Sequence, residues 1–185
     1  MKNTIIIFAL LLGTVFAQDN GLYMQAMGDA LGSMSKIETN DDRKAVINQF
    51  ERIAEVEQEN WIPGYFTVLN QAILSFNMGD DGDARDAVLD EAQTRLDALL
   101  KANKGESELW ALQGMVYQGR IQVSPMVRGM TYSGKANSAF EKAQKLNPEN
   151  PRGWVLHAQN VMYTPAFFGG GMDNACPLFT KALAK

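Results

Sequence analysis

The chain has one cysteine, one histidine and no run of basic residues, and each scarcity closes off a class of function. With Cys176 alone, no disulfide can form within the chain, so stability has to come from packing. Cys176 itself reads as a small buried residue rather than a reactive thiol. His157 stands among Trp154, Val155, Leu156 and Ala158, where a lone histidine is a packed or surface side chain rather than a catalyst. No Ser or Cys beside a His, no convergent carboxylate pair and no metal-ligand cluster is visible, so the chain does not read as an enzyme or a metal protein. The 21 acidic residues outnumber 17 basic ones for a net charge of −4, a poor balance for binding a polyanion, and nucleic acid is set aside. Asp80, Asp81 and Asp83 flank Gly82 without the spacing of a calcium loop. They read as helix capping, with Asp83 and Asp86 as the capping pair. Glu57, Glu59, Glu106 and Glu108 lie at hairpin starts, where a helix N-terminus favours negative charge.

Long apolar runs are also missing, with one short exception. Lys2, the stretch Ile5 to Leu12, and then Val15 and Ala17 before the polar Gln18 have the layout of a signal peptide over 1–17. The stretch is shorter than the roughly 20 residues needed to span a bilayer. No cysteine follows the expected cut, which argues against a lipoprotein. The expectation is an exported protein, periplasmic or secreted, with one domain over 18–185 and no membrane span in the mature chain.

That domain is patterned for helices. Leu22, Tyr23, Ala26, Met27, Ala30, Leu31 and Met34 recur at helical spacing, as do Val46, Phe50, Ile53 and Ala54 after a break and N-cap at Thr39 to Asp42. A third helix opens at Trp61 and Pro63 and carries Tyr65, Val68, Leu69, Ala72, Ile73 and Phe76. A fourth runs from Ala84 to about Ala102 with Val88, Ala92, Leu96, Leu99 and Leu100 inward. Asn150 and Pro151 supply the strongest helix start, an N-cap followed by proline at the first helical position.

One hairpin is copied. Ala136, Phe140 and Ala143 are spaced as Ala175, Phe179 and Ala182 are, and Trp110 and Gly114 as Trp154 and Ala158. A small residue four positions after the tryptophan lets a partner helix approach while the large ring fills the space beside it. Trp110, Gly114, Tyr117, Ala136, Phe140, Ala143 and Pro148 resemble the signature of the tetratricopeptide repeat, with Gln113 where a leucine is expected. The last hairpin matches at Trp154, Ala158, Ala175, Phe179 and Ala182, and the two earlier ones match loosely. The resemblance implies an all-α fold of about four antiparallel hairpins, near 20–57, 60–103, 107–147 and 151–185, stacked in a right-handed superhelix. It implies a scaffold for a protein or peptide partner, with no catalytic residue and no cofactor. The chain is also similar to small exported repeat proteins of Gram-negative bacteria.

Two departures from the family pattern carry the functional expectation. Arg120 to Gly134 and Tyr163 to Met172 read as insertions between the helices of the last two hairpins, each with a proline after a hydroxyl residue and a glycine near its end. Insertions in a repeat map to one side of the stack, often the side that binds. They offer Met126, Arg128, Met130 and Tyr132, and then Tyr163, Phe167 and Phe168, residue types that interface centres favour. The alternative is that these side chains fold back and plug the helix ends, with Gly169 to Gly171 supplying unusual backbone angles. The second departure is the absence of a polar capping helix after Leu183, which leaves self-assembly through the C-terminal hairpin open. The leading expectation is a non-catalytic adaptor; a self-assembling subunit, and a small-molecule carrier or hydrolase, are the alternatives.

Overall fold

The computed structural model describes residues 20–185, and these contain no strand. The expected signal peptide, residues 1–17, lies outside the described residues. Helix α1 covers 20–34. It is followed by α2 (Asn40–Val56), α3 (Trp61–Phe76), α4 (Gly82–Ala102), α5 (Ser107–Val123), α6 (Pro125–Leu146) and α7 (Pro151–Tyr163). A 3-10 turn, Ala166–Phe168, and α8 (Met172–Leu183) complete the order. From α2 onward each helix packs on the next, and α5 also touches α3 and α7, as stacked hairpins require.

The helix starts follow from local chemistry. Thr39 caps α2 and closes a capping box with Asp42. Asn150 caps α7 by accepting from Arg152 N, with Pro151 at the first position where its missing N–H costs nothing. At α4 the cap is Asp81, which accepts from Ala84 N at 2.9 Å, so the expected Asp83 and Asp86 pair does not form. Asp86 turns instead to two arginines of the next hairpin.

The core joins three helices. Tyr65, Val68, Leu69 and Ala72 of α3 meet Leu89, Ala92 and Leu96 of α4 and Leu109, Leu112 and Val116 of α5. Each large apolar side chain buried this way contributes about 1.5–3 kcal/mol. The inner stripe of α4 begins with Arg85 and Leu89, Val88 being only half-buried, and the buried Arg85 guanidinium donates to three carbonyls. A second cluster, Met27, Ala30, Val46 and Phe50, closes the first hairpin.

The copied hairpin is visible in side-chain contacts. Trp110 Nε1 donates to Lys104 O and Trp154 Nε1 to Pro148 O, each six residues back. Lys142 lies over the Trp110 ring as Lys181 lies over Trp154. Ala136, Ala143, Ala158 and Ala175 are fully buried, Ala182 nearly so, and Phe179 is half-buried. Gln113, in place of leucine, exchanges hydrogen bonds with Gln93 of α4 at 2.8 and 2.9 Å, so its buried amide is satisfied.

Two further expectations are corrected. The residues 120–134 are not a loop: α5 runs on to Val123, only Ser124 interrupts, and α6 starts at Pro125. The extra residues lengthen both helices, and Arg120 and Arg128 pin the added turns to Asp86 of α4. Cys176 is exposed on α8 rather than buried.

Candidate functional site

The lengthened α6 outruns its neighbour. Asn160 Nδ2, near the end of α7, donates to Asn137 Oδ1 at 2.8 Å and to Ser133 O at 3.2 Å, and Thr164 Oγ1 meets Ser133 Oγ at 2.9 Å. The end of α7 is therefore level with Ser133. Met130 and Met126 continue the same flank of α6 toward its start, about 4.5 and 10.5 Å beyond Ser133 at 1.5 Å per residue. No described helix covers them: Met126 is 100% exposed and Met130 70%.

The chain leaving α7 lies at the same end of the stack, joined to α6 through Thr164 and Ser133. After Thr164 it makes the 3-10 turn, and Gly171 N donates back to Val161 O at 2.9 Å, so the loop folds upon itself. Phe167 and Phe168 stand edge to face, centroids 5.2 Å apart, and are 92% and 54% exposed. Tyr163 before them and Met172 after them are exposed too. The glycines make the shape possible. Gly169 and Gly171 have φ of 80° and 96°, and a Cβ on Gly170 would overlap Thr164 O.

Five of the seven residues expected to bind, Met126, Met130, Tyr163, Phe167 and Phe168, thus share one end of the stack, exposed rather than folded back as plugs. Arg128 and Tyr132 belong to the other flank of α6. Arg128 Nη1 holds Asp86 Oδ1 at 2.8 Å, and that bond, more than Arg120 Nη1 at 2.6 Å, keeps the Asp86 carboxyl below the usual range. The Tyr132 ring lies against Tyr117, centroids 5.9 Å apart, with Lys135 Nζ 4.9 Å from its centre. Burial, with Asp97 and Tyr132 nearby, pushes the Tyr117 phenol up. Trp110 is half-buried under Lys142, and Tyr117 is half-buried against Tyr132.

The sequence reading missed Met172, which extends the surface, and a groove of 740 Å³ between α1 and α2. Leu22, Tyr23, Ala26, Ile53 and Val56 line the groove, with Arg52 beside them. Its signal was present in the first apolar stripe, which is too wide for one buried face: Leu22 and Leu31 remain exposed.

The described residues gather no group of three or more His, Cys, Asp and Glu that would hold a metal ion. His157 is buried, its Nδ1 accepting from Gln144 Nε2 at 3.0 Å, and burial pulls its pKa down. Tyr65, buried in α3, donates to Glu108, which also pairs with Arg152, and burial pushes the phenol up. No described helix is long and apolar enough to cross a membrane.

No family model and no curated protein matches the chain. Among solved structures it is similar to the HusA haemophore from Porphyromonas gingivalis, 30% identical over 88% of this chain and 79% of that one, with a TM-score of 0.77. A second structure, the MamA RS-1 ArsTM double mutant, is 16% identical over 88% of this chain and 93% of that one, with a TM-score of 0.39.

Proposed function

Because the chain belongs to the family of the HusA haemophore, we propose that it is a non-catalytic, exported carrier of haem or a closely related tetrapyrrole. The observation that carries the reading is the set of large apolar side chains left in water where α6 outruns α7. A porphyrin is a flat apolar plate with a carboxylate edge, and aromatic and thioether side chains suit its faces. In this reading Met126 and Met130 would meet one part of the porphyrin and Phe167 and Phe168 another, with Tyr163 at the end of α7. The phenol of Tyr163 and the two thioethers are side-chain types that bind haem iron. His157 is committed to Gln144 inside the fold. Lys2, Ile5 to Leu12 and Ala17 support export, and the paired Trp and Lys contacts of the last two hairpins support a tetratricopeptide-like stack.

A second placement of the cargo is favoured by volume. The α1–α2 groove, at 740 Å³, falls in the size range of small-molecule pockets; Arg52 on its lining would meet a propionate, with Asp29 and Glu57 opposing a second one.

Titration with haemin, followed by absorbance and by tryptophan quenching, tests both. A saturable complex weakened about tenfold or more in Phe167→Ser/Phe168→Ser supports the α6 and loop surface. Weakening in Leu22→Asp/Val56→Asp instead moves the cargo to the groove. Absence of saturation overturns the carrier reading and returns the surface to a protein or peptide partner.

A further inference from the structure

We propose that Met126 and Met130 are sulfoxidation sites through which peroxide loosens the hold on the tetrapyrrole, an inference that rests on the carrier reading above. Exposure and placement select them. Met126 is 100% and Met130 70% exposed, whereas Met27 is 6% exposed within the first hairpin. They lie four residues apart on one flank of α6, so both modify the same part of the surface.

The chemistry needs only hydrogen peroxide. The thioether sulfur attacks one peroxide oxygen, an S–O bond forms as the O–O bond breaks, and water leaves after proton transfer. Sulfur gives up two electrons and peroxide takes them. The product carries a strong S=O dipole in place of a polarisable apolar group. Pressed against a porphyrin face, that oxygen would lose water and need a donor. The polar groups where this flank meets α7 are engaged already: Ser133 Oγ with Thr164 Oγ1, and Asn160 Nδ2 with Ser133 and Asn137. Arg128 is held on the opposite flank by Asp86. An unpaired, desolvated acceptor opposes binding, while the free protein keeps its sulfoxides in water at no such cost.

Met24 provides an internal control. It is 62% exposed on α1, away from the proposed surface, and should oxidise without effect on the cargo.

The test treats the ligand-free protein with dilute hydrogen peroxide, removes the peroxide, maps oxygen adducts by peptide mass spectrometry and titrates with protoporphyrin IX. Adducts are expected at Met126, Met130 and Met24 ahead of Met27, with porphyrin affinity lowered about tenfold. In Met126→Leu/Met130→Leu built on a Met172→Leu background, which removes the remaining exposed methionine of that surface, peroxide should leave the affinity unchanged, whatever its starting value; in Met24→Leu and in Met172→Leu alone the loss should persist. Oxidised Met126 and Met130 with unaltered affinity overturn the proposal, as does a Met126→Leu/Met130→Leu variant that, in the Met172→Leu background, still responds to peroxide. If the untreated protein fails to bind porphyrin, the carrier reading falls at that first step and this inference with it.

Discussion

The ring of Phe140 occupies the space that a side chain on Gly114 would need. A methyl built at Gly114 stands among Cε1, Cζ and Cδ1 of Phe140, only 2.6 Å from the last. The two helices α5 and α6 pack tightly here, and Phe140 is wholly buried. Gly114→Ala should cost about 1–3 kcal/mol even though alanine is the better helix former, because overpacking outweighs the gain of up to about 1 kcal/mol in propensity. Urea unfolding checks it, and Gly114→Ala/Phe140→Leu should recover part of the loss.

Arg85 ties the tips of two hairpins together. It is 5% exposed, its Nε donates to Ser75 O and its Nη1 to Gln122 O, both at 2.7 Å, and its Nη2 reaches Gly79 O. The carbonyls belong to the last turns of α3 and α5 and the turn after α3, where helix dipoles present negative charge to a cation. Arg85→Met keeps the stem but strands three acceptors, and about 3 kcal/mol of stability should be lost by urea unfolding. Arg85→Lys should recover less than half, since one ammonium cannot span the fork.

Arg85 and Gly114 also mark how far the sequence could be read. Gly114, Phe140 and the paired alanines were legible because small-against-large packing repeats at a fixed spacing. Asn150 and Thr39 were legible because capping is local. Arg85 was hidden: nothing in its neighbourhood shows that Gln122, nearly forty residues on, turns its carbonyl toward it. Residues 120–134 misread as a loop for a related reason. Gly129 and Gly134 look like breaks, yet both sit in α6 with nothing within 4 Å, where the cost of glycine is only about 1 kcal/mol each. The binding residues were found by type, but splitting Arg128 and Tyr132 from the methionines required the register of α6 against α7.

His157 should make stability fall with acid. Burial lowers its pKa from 6.5 in the fold, and Nδ1 accepts from Gln144, so the imidazole is neutral inside and protonates more readily in the unfolded chain. Its contribution is complete above pH 6.5 and declines as pH drops from there toward the lower folded pKa, because the unfolded state takes up the proton first. Urea unfolding at pH 7.5, 6.5 and 5.5 should show the decline, and His157→Gln, stable or not, should flatten that part of the profile. An unchanged slope would assign it to the carboxylates.

The loop glycines separate backbone strain from lost space. Gly169 has φ of 80° but open surroundings, so Gly169→Ala should cost about 1 kcal/mol of local strain and leave the loop its shape. Gly170 has no positive φ, yet its Cβ would collide with the backbone of Thr164, and the loop can accept alanine there only by moving. That movement should disturb the Thr164–Ser133 contact that joins the loop to α6, and displace Phe167 and Phe168 with it. Gly170→Ala should therefore weaken haemin binding about tenfold or more, while Gly169→Ala stays within about threefold of the parent, because misplacing a preformed surface forfeits its contacts whereas local strain alone does not. Parallel titrations with unfolding curves decide it. Equal affinities for both variants would mean that the loop is not part of the cargo site.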